Sequence, residues 1–549
     1  MSPSAGSYAS ILPLAAPIPP PRPGRNQRAI YLMHKYWARK PWYVVSRYIS
    51  HYSRPGDAVL DPFCGSGVTL SEALALGRRA IGVDLNPAAA FLSELTCRPV
   101  GIQLLNEALA AVAEAARPQV EAMYRLEGQC PRCRGPLVAR WTGRGETWLE
   151  QRGGPWVRVA CPKGCRIRGE RRLTAVEQAA LAGLEAGVDG SRPIIDRFRR
   201  AALTYADGRR FDKRRRQRTL ADFYSGRNLL ALDLLAEAVG QVSGEASEYL
   251  RLALSSGSHL LSRFRAPRTG HWAVNGLYVP PDWIDENAWS IWGARAGRLV
   301  AAKSEANRFL GQGLTYEVRQ GDAADLSFLP PDSIDYVFTD PPYGDSIQYY
   351  ELSYLWNTLL GLDASAEREV IINPCQGKDA AAYAGLLTAV FTEVYRVLKP
   401  GRWLSVTFHN KDYAVWNALL GACTGAGFRV VEVAVERPLT LAYNQLWARV
   451  APKTDLIVSC FKPGTGDGGP LAAPPAPAPP GQLLLEQAEA LSQKGPFTTA
   501  QVYDAALVEW IRRTYCRPVQ EPPRVDLTVH DAELLLKSRY TLKEGSWHG

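Results

Sequence analysis

The 549-residue sequence contains no run of 18 or more apolar residues, so nothing in it is long enough to cross a bilayer as a helix. Its start, Met1 to Gly24, is rich in Pro, Ala and Ser and lacks the basic opening and continuous apolar stretch of a secretory signal. Ten cysteines are too thin a scatter in so long a chain for a disulfide framework, which points to a reducing, cytoplasmic setting. No internal repeat is present, which excludes a solenoid. Acid is in deficit: 54 Asp and Glu face 64 Lys and Arg, leaving a formal charge of +10. That balance favours an anionic partner, nucleic acid before others. With 46% hydrophobic and 21% charged residues the composition is globular, and the length calls for more than one domain.

From Asp57 onward, short apolar runs alternate with helical patterns, as in a parallel sheet covered by helices. Strands are expected at Ala58–Leu60 and Ala80–Val83, with a helix at 69–77 between them. The alternation breaks for about 200 residues and resumes at Tyr316–Val318 and Ile334–Phe338. Helices are expected at 382–398 and 413–426, and strands at 403–408, 429–435 and 455–461, the last two as a hairpin. The chain thus divides into a disordered leader (1–28), a first part of the sheet domain (29–103), an insertion (104–287) and a second part (288–462). A Pro/Ala/Gly linker (463–482) and a small helical module (483–549) follow.

Asp61-Pro-Phe63-Cys64-Gly65-Ser-Gly67 follows the first strand and opens a helix. Glycines there let the backbone turn sharply and approach a ligand, and Asp84, at the end of the second strand, is placed to accept hydrogen bonds from ribose hydroxyls. Asp340-Pro341-Pro342-Tyr343 follows the fourth strand. An aromatic exocyclic amine is a poor nucleophile because its lone pair is delocalised into the ring. A carboxylate (Asp340) and a backbone carbonyl (Pro341) can accept its two hydrogens and aim the lone pair, while Tyr343 offers a face to a flipped base. No cysteine nucleophile is implied.

The DPFCGSG string resembles the first motif of amino-methyltransferases, which implies S-adenosylmethionine as cofactor, held by Asp61, Phe63, Cys64, Gly65 and Gly67. By the same resemblance Asp322, in the turn after the third strand, contacts its adenine, and the upstream HKYWARKPW segment, with His34 and Lys35, helps hold its methionine end. The stretch Asp340 to Leu355 is similar to bacterial and archaeal adenine-specific DNA methylases that carry a zinc ribbon. So are Leu220–Leu232, Phe408–Lys411 with Trp416, and the region around Trp37–Pro41. The resemblance implies an α/β, Rossmann-like, seven-stranded S-adenosylmethionine-dependent methyltransferase with a zinc-ribbon and helical insertion. Its expected partner is duplex DNA with the target base flipped, alongside restriction or defence proteins encoded separately and no membrane. Adenine N6 leads as the target. Cytosine N4 is the near alternative, and Gly344 after the tyrosine also occurs in transfer-RNA guanine-N2 methyltransferases. Those enzymes are expected to carry an N-terminal RNA-binding domain, for which the short leader leaves no room. A non-catalytic DNA-binding protein on the same scaffold is the distant alternative.

Cys130-Pro-Arg-Cys133 and Cys161-Pro-Lys-Gly-Cys165 have zinc-ribbon spacing, and four sulfur ligands imply a structural Zn²⁺ site within 129–168. Arg197 to Arg218 holds ten Lys or Arg against two Asp. Arg209, Arg210, Lys213, Arg214, Arg215, Arg216 and Arg218 are expected to meet phosphates, with Tyr205, Phe211, Phe223 and Tyr224 interleaved or just following.

Overall fold

The computed structural model describes residues 28–145, 152–167, 169–189, 191–211, 217–267, 276–310, 313, 315–436, 455–464, 480–516, 529–543 and 546–548. Helix α1 (Trp42–Tyr52) is followed by β1 (Ala58–Asp61), α2 (Val68–Ala75), β2 (Arg79–Asp84) and α3 (Pro87–Cys97). All four residues of β1 are buried, as a parallel strand covered on both faces requires. Asn86 starts α3 by accepting the Ala88 N–H, and Pro87 at the first helical position has its φ already set for a helix.

The insertion opens with α4 (Ile102–Ala122) and continues through β3 (Arg125–Gln129), β4 (Pro136–Gly145), β5 (Trp156–Ala160) and β6 (Glu170–Arg172). Four helices follow, α5 (Ala175–Ala186), α6 (Pro193–Arg200), α7 (Gly226–Gly240) and α8 (Glu245–Ser258), and then β7 (Asp282–Glu286). β7 returns to pair antiparallel with β4, completing a five-stranded antiparallel sheet. Helix α9 (Ala288–Ala306) carries the chain back to β8 (Tyr316–Gln320) and β9 (Ile334–Thr339). Next come α10 (Tyr349–Leu360), α11 (Ala380–Val397), β10 (Leu398–Phe408), α12 (Tyr413–Gly425), β11 (Arg429–Glu436) and β12 (Asp455–Lys462). The chain closes with α13 (Pro480–Ser492), α14 (Thr499–Thr514), α15 (Val529–Lys537) and the small hairpin β13 (Thr541–Lys543) and β14 (Ser546–His548).

The main sheet has seven strands in the order β11-β12-β10-β9-β1-β2-β8, with β12 antiparallel to both neighbours. All seven strands expected from the sequence form, including the antiparallel last pair. This is the mixed, Rossmann-like α/β sheet expected from the sequence. The strand order reverses between β1 and β9, and the crevice outside their carboxyl ends is where open α/β sheets bind ligands. Asp61 and Asp340 stand there.

Both faces of the sheet are covered by more than its own helices. One core runs from Val59, Tyr336 and Phe338 through Tyr48 and Tyr52 of α1 into Val112, Leu232 and Leu250 of the insertion. The helical part of the insertion is therefore an extension of the sheet's core. The opposite face packs on α11 and α12 and takes in Trp510 and Trp547 of the C-terminal segment. Tyr413 meets Trp510 at 5.0 Å, and the Tyr503 hydroxyl donates to the Lys411 carbonyl at 2.5 Å.

Candidate active site

The first loop is set by backbone geometry. Asp61 ends β1, and its Oδ1 accepts the Phe63 N–H at 3.1 Å. Gly67 opens α2 at φ +77°, where a Cβ would lie 3.1 Å from Ser93 Cα, and Gly65, at φ +52°, leaves room for Tyr36. Asp84 ends β2 and ties the loop to it, accepting from Gly65 N–H at 2.8 Å and from Asn86 N–H at 2.9 Å. Arg39 joins the upstream segment to this loop, donating to Ser66 Oγ at 3.0 Å and to the His34 carbonyl at 2.8 Å.

The second loop begins where β9 ends. Thr339 Oγ1 donates to Asp61 Oδ1 at 3.0 Å, fastening the two loops together. The Tyr343 hydroxyl donates to Asp340 Oδ1. Lys40 Nζ lies 3.7 Å from that same oxygen and 3.0 Å from Asp455 Oδ2. The loop's other groups are held from behind. Asn410 Nδ2 donates to the Tyr343 carbonyl at 3.1 Å, and the Tyr383 hydroxyl donates to the Pro342 carbonyl at 2.6 Å. Among the described residues no donor engages the Pro341 carbonyl. Gly344 stands at φ +61° with Val415 3.2 Å from where its Cβ would be, so the turn itself demands glycine.

Both loops line one pocket of about 1030 Å³, counted to its open mouth. Asp61, Phe63, Cys64, Gly65 and Asp84 line it together with Asp340, Pro342 and Asp322, and Arg368 Nε donates to Asp322 at 2.7 Å. Burial disfavours the charged form of the carboxyls here and pushes Asp61 up to about 6, Asp84 to about 7 and Asp340 to about 7. Hydrogen bonds from Thr69, Phe63 and Thr339 at Asp61, and the charge of Lys40 at Asp340, oppose that shift in part. A pocket crowded with carboxyls suits a cationic ligand, and the sulfonium of S-adenosylmethionine is one. Asp84 keeps acceptor capacity for ribose hydroxyls beyond the two backbone N–H groups it already binds.

Three expectations meet a different geometry. His34 and Lys35 do not line the pocket: the His34 imidazole is engaged by Ser255 Oγ (3.1 Å) and the Lys35 carbonyl (2.7 Å), and burial pushes its pKa down to about 3. It is Tyr36 to Lys40 that line the pocket. Gly67 does not line it either and serves the entry into α2. Tyr343 is 6% exposed, edge-on to Phe408 at 5.1 Å and under Lys40 at 4.9 Å, and does not line the pocket; the aromatic side chains that do are Tyr36, Trp37, Phe63, Phe338, Tyr349 and Tyr350. Sequence reasoning missed Tyr349, Asn357, Arg368, Glu369 and Asp455. Asp455 reaches the site only by pairing with Lys40, 415 residues away in the chain, which no local pattern could signal.

The four cysteines come together as their spacing requires. The sulfurs of Cys130, Cys133, Cys161 and Cys165 all lie within 4.8 Å of one another. A zinc tetrahedron with Zn–S near 2.3 Å has sulfurs about 3.8 Å apart, so the cluster fits one ion with no position left open. The knuckles are visible in the backbone: Arg134, at φ +59°, donates to the Cys130 carbonyl at 2.9 Å, and Gly164, at φ +76°, to the Cys161 carbonyl at 3.0 Å.

The basic stretch divides. Arg197 donates to the Leu359 carbonyl at 3.1 Å and Arg199 to the Val188 carbonyl at 2.8 Å, so both serve the fold. Arg209 pairs with Asp207, Arg210 binds the Gln217 carbonyl, and Arg209 and Arg218 are exposed. Lys213, Arg214, Arg215 and Arg216 lie outside the described residues. The interleaved aromatics Tyr205, Phe211, Phe223 and Tyr224 are all buried and pack. Tyr205 stacks on Tyr350 at 6.0 Å, which sets the start of the basic stretch beside the pocket.

Residues 18–94 match the N6/N4 DNA methylase family, described as DNA methylase. The match ends within α3, just short of the insertion. The DNA adenine methyltransferase YhdJ of Escherichia coli is 40% identical over 80 residues, 12% of this chain and 27% of that protein. The Type II methyltransferase M.HinfI of Haemophilus influenzae is 33% identical over 96 residues, 17% of this chain and 27% of that protein. The chain thus spans about a quarter of the length of these curated relatives. The rRNA methyltransferase aviRa of Streptomyces viridochromogenes overlaps 78% of this chain and 88% of its own at 13% identity, with a TM-score of 0.23, too loose a superposition to carry a functional argument.

Proposed function

We propose that this protein transfers a methyl group from S-adenosylmethionine to the exocyclic amino nitrogen of a flipped base in DNA, adenine N6 first. The observation that carries this is Asp340, first residue of the loop after β9, lining the same pocket as the Asp61–Gly65 loop at the switch point of the sheet; the Pro341 carbonyl next to it is unengaged among the described residues, although Pro341 itself does not line the pocket. The match of residues 18–94 to DNA methylases supports the same reading, and the similarity to the DNA adenine methyltransferase YhdJ favours adenine.

Bound S-adenosylmethionine would supply the electrophilic methyl; the chain's own part is positioning. Asp84 holds the ribose, and the carboxyls of Asp61 and Asp340 face the positive sulfur. Asp340 Oδ and the Pro341 carbonyl accept the two amine hydrogens and turn the nitrogen lone pair toward the methyl. Tyr343 fixes the rotamer of Asp340 through its hydroxyl, and a base can pack against the aromatic side chains that line the pocket, Tyr349 and Tyr350 among them. Exposed arginines of the basic stretch meet DNA phosphates, and the cysteine cluster holds a structural zinc ion.

Incubation with methyl-labelled S-adenosylmethionine and duplex DNA, followed by nucleoside mass spectrometry, tests the reading. N6-methyladenine is expected, absent from Asp340→Ala although that variant still binds cofactor. N4-methylcytosine would move the base and keep the chemistry. N2-methylguanine in transfer RNA alone would overturn the DNA assignment.

A further inference from the structure

An amine that gains a methyl must lose a proton. In the proposed reaction the N–C bond forms as the C–S bond breaks, the electron pair of the broken bond stays on sulfur, and the nitrogen is left with one proton too many. Asp340 is the nearest base. With cofactor and base filling the pocket, the cation beside Asp340 is Lys40, which borders both this pocket and a second cavity and whose side chain is 10% exposed.

Lys40 does not end the chain of contacts. Its Nζ is 3.7 Å from Asp340 Oδ1 and 3.0 Å from Asp455 Oδ2, and Asp455 Oδ1 is 3.7 Å from His409 Nδ1. A second cavity of about 310 Å³ lies on this side, lined by Lys40, Thr407, Glu436 and Asp455. In it Thr407 Oγ1 is buried without a hydrogen-bond partner among the described residues, leaving a polar group for water to satisfy. The titratable groups around Lys40 come from several elements: Asp340 and Tyr343 from the loop after β9, Glu436 from β11 and Asp455 from β12, with His409, just after β10, reached through Asp455.

We infer that Lys40 is a proton relay: Asp340 takes the proton from the methylated amine, Lys40 receives it as it gives one of its own to Asp455, and His409 with the adjoining cavity returns it to solvent. The inference rests on the proposed methyl transfer. A lysine suits the task because its ammonium rotates and can exchange protons, whereas a guanidinium holds its protons at every accessible pH. No net charge is left behind, since one proton enters at Asp340 for each that leaves at His409.

Lys40→Arg separates relay from charge. The relay requires the pH-independent rate of single-turnover transfer to fall about 10-fold or more in Lys40→Arg and in Asp455→Asn, with a larger solvent isotope effect. A Lys40→Arg protein that transfers at the wild-type rate overturns the relay, and so does an Asp455→Asn protein with unchanged rate and isotope effect. Protons released on binding S-adenosylmethionine, counted by calorimetry in buffers of different ionisation enthalpy, need no nucleic acid. Lys40→Met should release more protons near pH 7 than wild type, because Asp340 loses the charge that favours its carboxylate, and Lys40→Arg should resemble wild type. An unchanged count in Lys40→Met overturns the inference whatever the substrate is. A wild-type protein that methylates no nucleic acid overturns the proposed function instead.

Discussion

Asp61 and Thr339 are 278 residues apart in the chain and hydrogen-bonded side chain to side chain at 3.0 Å. The bond crosses between β1 and β9, the adjacent strands from which the two loops of the pocket spring. It makes the position of the loop after β9 depend on that of the loop after β1, in a place where both residues are buried.

Thr339→Val removes the donor and keeps the shape. The Asp61 oxygen then loses one of its bonds in a buried site, at a cost of about 1–2 kcal/mol. Chemical denaturation should show that loss, and calorimetry should show weaker S-adenosylmethionine binding. Unchanged affinity would mean that the bond serves stability alone.

Cofactor affinity should depend on pH. The folded pKa values of Asp61, Asp84 and Asp340, about 6, about 7 and about 7, lie above the ordinary carboxyl value of 3.8. Each is therefore partly protonated near neutrality, and a cationic ligand binds best when they are ionised. Affinity should rise from pH 6 to pH 8, with proton release on binding. The apo fold should behave oppositely: its native state holds more protons than the unfolded chain between about pH 4 and 7, so these groups contribute less stability as pH rises through that window. Calorimetric titrations and denaturation at pH 6, 7 and 8 check both signs.

Metal removal should act on the insertion. Purified protein should carry one zinc per chain, and Cys133→Ser or Cys161→Ser should lose it. A loss of about 3 kcal/mol would lower the melting temperature by roughly 6–12 °C in a unit of this size. Elemental analysis beside a thermal melt decides it, and a variant that keeps both zinc and stability would exclude the four-cysteine site.

DNA affinity should carry a salt signature. If Arg209 and Arg218 each meet one phosphate, the double alanine variant should lower the slope of log K against log salt by about 2. It should do so alike on any duplex sequence. An unchanged slope would place the phosphate track elsewhere.

Much of this protein is determined by its sequence alone, because the determinants are local. Hydrophobic period and length produce the seven strands, glycine and aspartate at strand ends produce both loops, and two cysteine pairs at knuckle spacing produce the cluster. Tertiary structure decided what rests on contacts across hundreds of residues. It gave Lys40 to Asp340 and Asp455, closed Tyr343 under Lys40 and Phe408, and brought Tyr349 and Tyr350 into the pocket's lining. It paired His34 with Ser255 of the insertion and left it out of the pocket's lining. It also merged the insertion's helices into the sheet's own core, since an apolar helix face is buried by whatever surface lies nearest in space, and the order of residues along the chain does not record which surface that is.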